Sequence, residues 1–366
     1  MILRPLSIGS MAVVFLLMGL VVAGYGPLLE HLTRRFNVSL PVAGATISVQ
    51  YIGALVGVLV SMRAIERLRA RVIVAVSCVV ASFGLAVVAV APGWSQFLGG
   101  VFIFGLGFGG LDLSVNQVVA YSEGGRRAAL LNALNSAYPA GAVAGPILVS
   151  AFAAEHFTAL FLVASAIWLL LLPGILAITG RVPVETEAAR WPGRLVMLFV
   201  AAFMLYVALE VGTGGWMTSH LESVGFGSDG AAKLTSAFWF ALVTGRLLIA
   251  MVPSTVREGT IVLIASAAAT VALGFATIGH LAPFAYVAAG LAMAPIFPTG
   301  IVWLAKLRPG DSRATAWLYP AASVGGALGP GAIGIVIAEA GVAWAPAVLA
   351  VVAAAMYAAF MAASRR

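Results

Sequence analysis

Residues 6–30 read LSIGSMAVVFLLMGLVVAGYGPLLE, and no charge interrupts them before the final Glu30. At 1.5 Å per residue, such a run is long enough to cross a hydrocarbon core of about 30 Å as a helix. It is too long for the core of a secretory leader and runs on into further apolar stretches, so it is expected to persist as a span. Working outward, runs of the same character fill the chain. The expected spans lie at 6–30, 41–62, 72–91, 96–120, 128–152, 159–179, 194–218, 229–252, 260–279, 283–305, 313–338 and 345–362. These runs do not alternate as barrel strands would. Lipid satisfies no backbone polar group, so helices are the remaining choice.

Composition excludes the soluble classes. Of 366 residues, 62% are hydrophobic and only 9% charged, with a mean hydropathy of +1.08. A soluble domain carries roughly 25% charged residues, and this chain could not cover a water-facing surface. The single cysteine, Cys78, lies in an apolar run and leaves no disulfide framework. Loop chemistry separates the spans at Ala91-Pro92-Gly93, Ser122-Glu123-Gly124-Gly125 and Arg308-Pro309-Gly310-Asp311. The most polar connection falls between spans 6 and 7 and contains Glu185, Glu187, Arg190 and Pro192. The expected organisation is therefore a first six-helix half over 1–180, a cytoplasmic linker over 181–193 and a second half over 194–366.

Charge orients these spans. Sixteen basic groups fall on one side: Arg4, Arg63, Arg67, Arg69, Arg71, Arg126, Arg127, Arg181, Arg190, Arg194, Arg257, Lys306, Arg308, Arg313, Arg365 and Arg366. The other side has three, Arg34, Arg35 and Lys233, while Arg246 sits near the end of span 8. The bias predicts a multi-pass protein of the inner cell membrane with both termini in the cytoplasm. It also accounts for the net charge of +7. No basic patch with interleaved aromatics is present, so no nucleic-acid partner is expected.

The halves echo each other. Gly26, His31 and Leu32 match Gly215, His220 and Leu221 at an offset of 189, and Gly57 matches Gly245 at 188. Gly105-Leu106 matches Gly290-Leu291 at 185, and Gly141-x-x-x-Gly145-Pro146 matches Gly325-x-x-x-Gly329-Pro330 at 184. A six-helix duplication with slightly different loops produces this order and this slow drift. The fold class that follows is an all-α integral membrane protein of twelve transmembrane helices in two pseudo-symmetric halves.

Ionisable groups well inside spans mark function or a partner, because burying them is costly. Three qualify: Asp112 in span 4, Glu210 in span 7 and Arg246 in span 8. Asn116 shares the Asp112 face, and Tyr206, Glu210 and Thr213 share another by i, i+4, i+7 spacing. Asn132, Asn135 and Ser136 give span 5 a polar face, as Thr46 and Gln50 do in span 2. These faces are expected to meet in one cavity, though polar groups also serve simply as links between helices. Glu210 has two open readings, coupling or a structural pair with Arg246. Gly105-x-Gly107-x-x-Gly110 fits a dinucleotide fingerprint, but no strand precedes it; close helix packing is the expected role. The histidines His31, His156, His220 and His280 all fall near expected outer helix ends, where an interfacial placement is expected. No metal site and no cofactor is expected.

The twelve-span pattern with its central linker resembles the major facilitator superfamily. Local strings are similar to its fucose-permease-like branch, the fucose–galactose–glucose:proton symporters. They are Gly105-Leu106-Gly107 with Leu111-Asp112-x-x-x-Asn116, Tyr206-Val207-Ala208-Leu209-Glu210-Val211 to Trp216, Gly245-Arg246 and Phe297-Pro298-Thr299. Departures are visible too. The loop after span 2, which in the superfamily carries Gly-x-x-x-Asp, has Met62 and Glu66 there, followed by Arg67, Arg69 and Arg71. Gly26 stands where fucose permeases carry a functional aspartate. Span 4 lacks the early arginine of drug antiporters, although Gly141-x-x-x-Gly145-Pro146 resembles part of their span 5 motif.

The resemblance implies a proton-coupled secondary transporter of a small polar solute, a sugar above all, working by alternating access as a monomer in the lipid bilayer. Asp112 and Glu210 are the coupling candidates. Gln50, Asn116, Asn132, Asn135, Tyr206, Trp239, Trp317 and Tyr319 are the substrate-binding candidates, with Tyr25 as a further aromatic wall. Glu66, Arg67, Arg71 and Arg246 are the gating candidates. The alternative of the same class is a drug or metabolite efflux antiporter. An intramembrane enzyme or a receptor is the alternative of a different class; no His-Glu-x-x-His or Gly-x-Ser-x-Gly string supports an enzyme. Direction of flux, and proton against sodium, stay open at this point.

Overall fold

The computed structural model of the chain describes residues 3–65, 67–120, 122, 127–180, 192–249, 256–308, 314–315 and 317–365; at 120, 127–129 and 131–133 it describes the backbone alone. Glu66, most of the linker (181–191) and the acid-containing loop at 123–126 lie outside the described residues, as does the side chain of Asn132.

Among the described residues every regular element is helical. The helices are α1 Pro5–Phe36, α2 Leu40–Ile65, α3 Ala70–Val90, α4 Trp94–Ala120, α5 Arg127–Leu170, α6 Leu172–Leu176, α7 Arg194–Ser223, α8 Ser228–Ile249, α9 Glu258–Phe275, α10 Ala282–Met293, α11 Ile296–Leu307, α12 Leu318–Ala340 and α13 Ala345–Ser364. Eleven stretches among the described residues are long and apolar enough to cross a membrane. One of them, Leu134–Leu176, has 43 residues, about twice what a single crossing uses. It breaks at His156, whose φ of −126° and ψ of 32° leave the helical region. The arm after the break runs along α3 in the opposite sense: Thr158 Oγ1 donates to Ala89 O at 3.0 Å, and the Ser82 and Ser165 hydroxyls meet at 2.9 Å. Expected spans 5 and 6 are thus both present, giving twelve crossings among the described residues. No glycine or proline marks their joint, so one residue makes the break.

Span 10 is likewise built from two helices. Proline cannot continue the backbone ladder, and the chain breaks at Ala294-Pro295 between α10 and α11. The break seats Phe297 with its ring centroid 5.0 Å from Phe203 and 5.7 Å from Tyr206.

The chain forms two compact units: Met1–Val22 with Val49–Ala188, and Ala23–Ser48 with Ala189–Arg366. Helices α1 and α2 therefore contribute to both, and their connecting tip belongs to the second.

Each unit uses the same interlocks. A Cβ on Gly105 would fall under 3.0 Å from Gln50 O, which locks α4 to α2; one on Gly290 would meet Phe238 O at 2.5 Å, which locks α10 to α8. Gly141 faces Leu16 O between α5 and α1, and Gly325 faces Met204 O between α12 and α7, again with no room for a Cβ. The carbonyl partners stand 188 residues apart in both cases, the same offset as between Gly57 and Gly245. Without a solvent force driving helices together in lipid, such close backbone approach is what holds them. The Gly-rich run of α4 serves two neighbours: Gly105 and Gly109 face α2, Gly107 faces Ser77 and Ala81 of α3, and Gly110 sits between Ser77 of α3 and Ser61 of α2.

Candidate functional site

In the first unit, α4 and α5 bring three polar side chains into a chain. Asn116 Nδ2 donates to Asp112 Oδ1 at 3.1 Å and to the Asp112 carbonyl at 2.8 Å. Asn135 Nδ2 donates to Asn116 Oδ1 at 3.0 Å. The first link follows from i, i+4 spacing on one helix; the second joins residues 19 apart in sequence on two helices. All three side chains are half-buried. None of the ion pairs among the described residues involves Asp112. A carboxylate that takes one amide donor on one oxygen keeps the other for a proton or cation, and the second amide, Asn135, orients that donor.

Gln50 of α2 lies in the same unit, fully buried, and neither amide atom has a hydrogen-bond partner. Its expected neighbour on the polar face of span 2, Thr46, belongs to the second unit. That face is thus divided between units rather than shared.

In the second unit, Arg246 of α8 reaches Glu210 of α7, Nη2 to Oε1, at 3.3 Å. Tyr206, fully buried one turn before Glu210, borders both groups. Of the two readings of Glu210, the ion pair is present. Trp239 is fully buried, faces Gly214 and stacks edge-on to Phe238 at 5.1 Å. Thr213 is also fully buried, without a hydrogen-bond partner. Trp317 precedes α12 and Tyr319 lies in its first turn, both half-buried. Of the gating candidates, Arg67 is exposed and Arg71 half-buried, while Arg246 is committed to Glu210.

His220 lies in the last turn of α7, as expected of an outer helix end, but it is turned into the protein: it is 2% exposed and its Nδ1 lies 3.1 Å from the Tyr286 hydroxyl of α10. Tyr286 lies 66 residues further on, and nothing local in the sequence announces it. His156 and His280 are exposed. A second feature has no signal beyond its flanking glycines: Trp216 Nε1 donates to Pro330 O at 3.0 Å, fastening α7 to α12. Among the described residues no three His, Cys, Asp or Glu side chains gather as metal ligands would.

Comparisons with known proteins bear on the whole chain. The family model described as Major Facilitator Superfamily matches residues 11–287. Two curated relatives are similar: a sodium-dependent glucose transporter 1A of Mus musculus, 26% identical over 152 residues, and a sodium-dependent glucose transporter 1 of Homo sapiens, 26% identical over 162 residues. These matches cover 40% and 43% of this chain, and the chain spans about a third of the length of those relatives (36% and 31%). Among solved structures, the nucleoside transporter NupG superposes with a TM-score of 0.75 at 15% identity, covering 99% of this chain and 100% of that one. A point variant of the E. coli fucose:proton symporter FucP superposes with a TM-score of 0.68 at 16% identity, covering 97% and 98%. A POT family transporter in complex with a thioalcohol-conjugated peptide reaches a TM-score of 0.79 at 14% identity, covering 98% and 96%. At these identities the likeness speaks for the fold.

Proposed function

The chain belongs to the major facilitator superfamily, and from that premise we propose that it is a proton-coupled secondary transporter of a small neutral polar solute, a sugar. The observation that carries this reading is the Asp112–Asn116–Asn135 chain in the first unit. A carboxylate inside a membrane helix is expensive unless water, a proton or a substrate reaches it. Here no ion pair among the described residues compensates it. Asp112 loads the proton, and Asn116 and Asn135 orient it while offering amide groups to solute hydroxyls. Gln50, whose amide is buried and unbonded, is a further donor–acceptor pair for a hydroxylated solute, joined by Asn132. In the second unit Tyr206, Trp239, Trp317 and Tyr319 supply the aromatic faces against which sugar rings pack. Glu210 then serves structure through Arg246 rather than coupling. Glu66, Arg67 and Arg71 form the cytoplasmic gating loop. The protein works as a monomer in the inner membrane with both termini in the cytoplasm, and the 181–193 linker joins its two six-helix halves.

Similarity to sodium-dependent glucose transporters supports a sugar and makes sodium the competing coupling ion. The test is uptake of radiolabelled D-glucose, L-fucose and D-galactose into proteoliposomes under an imposed pH gradient, and separately under a sodium gradient. Accumulation driven by the pH gradient is expected for at least one sugar. Asp112→Asn keeps the shape and the hydrogen bonds but cannot release a proton. It is expected to abolish gradient-driven accumulation while leaving counterflow exchange. Normal accumulation by Asp112→Asn removes the coupling assignment; accumulation under sodium alone replaces the ion; no saturable flux of any sugar overturns the solute class.

A further inference from the structure

The tip that joins α1 to α2 lies, by sequence, within the first six spans, yet Ala23–Ser48 is part of the second unit. Its seating leaves no room for added side-chain atoms. A Cβ on Gly44 would fall under 3.0 Å from the Trp216 ring, and one on Gly26 would lie 2.6 Å from Gly214 O and 2.8 Å from Thr218 Oγ1. On the α12 side, a Cβ on Gly331 would lie 2.8 Å from Ser48 Oγ, and one on Gly334 would lie 3.1 Å from Trp216 and 3.7 Å from Pro41 O. The Trp216 indole is therefore the slab shared by α2, α7 and α12. It is itself fully buried, and its single polar atom is fixed to Pro330 O. Behind it the Thr218 and Thr235 hydroxyls, 2.7 Å apart, tie α7 to α8.

We propose that Trp216 is a positioning residue of the transport cycle: its indole, aimed by the Pro330 carbonyl, is the seat on which the α1–α2 tip docks, and the tip leaves that seat each time the carrier changes state. Two features distinguish this seat from ordinary core packing. The docked segment comes from the other repeat, so it is the part of the second unit that alternating access has to release. At Gly44 the contact is also bare backbone against the ring, while the Ile47 side chain seats on Gly215 and Ser48 on Gly331, and these withdraw when the tip leaves. The role of Trp216 is separate from proton loading: it sets how long the docked state lasts. The proposal rests on the superfamily's alternating access but not on which solute is carried.

Cysteine accessibility tests it without solute or gradient. The chain has one native cysteine, Cys78, and Cys78→Ala leaves a silent background. Thr46 is fully buried on the tip and makes no hydrogen bond through its hydroxyl, so Thr46→Cys is a near-isosteric reporter. Purified full-length protein in nanodiscs is labelled with a maleimide and the rate followed. Trp216→Phe keeps a ring on the seat but removes the bond to Pro330 that aims it and shrinks the face that Gly44 meets; the docked state loses part of its contact, and labelling should rise by up to about fivefold. Gly44→Ala, which pushes a methyl into the ring, should raise it further. Trp168→Phe, another fully buried indole but in the first unit, should leave the rate unchanged. Unchanged labelling in Trp216→Phe, or an equal rise in Trp168→Phe, overturns the proposal. Should Gly44→Ala fail to fold, the two tryptophan variants decide.

Discussion

Glu210 and Arg246 are charges that lipid penalises singly and tolerates together. The 3.3 Å contact between them is the pairing that their rarity in the sequence allows. Their side chains keep 13% and 23% exposure, so removing one partner should cost at the lower end of what a buried pair shows, about 3 kcal/mol. Glu210→Gln is expected to lower the melting temperature by several degrees while D-glucose uptake keeps its dependence on the pH gradient. A mutant as stable as the parent but uncoupled would move coupling from Asp112 to Glu210. How much of the site is readable follows the same line. Asp112 and Asn116 are legible because i, i+4 spacing fixes their proximity on one helix. The Asn135 bond is not, since it depends on the register of α4 against α5, set by packing rather than local pattern. His220 escapes a local reading for that reason as well: the Tyr286 hydroxyl that holds it inside lies on another helix.

Whole helices are more legible than their breaks. Apolar runs locate crossings because the bilayer demands a length, but the break at His156 carries no turn residue and the one at Pro295 sits inside a continuous apolar run. The glycine matches between halves have a physical content that the sequence only hints at: Gly57, Gly105, Gly141, Gly290 and Gly325 are points where helices meet a neighbour's backbone, whereas Gly215 makes room for the Ile47 side chain. This gives a sharp contrast between glycines that look alike in the chain. A methyl on Gly105 must displace the Gln50 carbonyl and separate α4 from α2, and overpacking of this kind costs about 1–3 kcal/mol. Nothing lies within 4 Å of a Cβ on Gly274 in α9, and there alanine should instead gain up to about 1 kcal/mol of helix propensity. Melting of Gly105→Ala and Gly274→Ala in matched detergent checks this. Equal shifts in the two would mean that the glycine interlocks do not hold the helices.

At the scale of the molecule, the repeated interlocks and the asymmetry of charge have to agree on one topology. Among the described residues, Arg63, Arg67 and Arg69 cluster at the end of α2, Arg257 precedes α9, Lys306 and Arg308 close α11, and Arg365 ends α13. Arg34 and Arg35 close α1, and Lys233 opens α8, paired with Asp229. With each span reversing direction, the first set falls on one membrane side and the second on the other. Lysine and arginine resist translocation, so the crowded side should be cytoplasmic. Two positions test this cleanly. Gly227, between α7 and α8, has open space around a Cβ; Ser364 is exposed at the end of α13. In intact cells carrying the Cys78→Ala background, an impermeant maleimide should label Gly227→Cys at once and Ser364→Cys only after permeabilisation. The reverse pattern would invert the protein in the membrane. It would also place the loop holding Arg67 and Arg71 outside, where it could not serve as a cytoplasmic gate. Labelling of both sites in intact cells would mean that an even number of crossings separates Gly227 from Ser364. The count of spans in the second half would then have to change, because α8 to α13 supply five crossings between those sites only if α10 and α11 together make one.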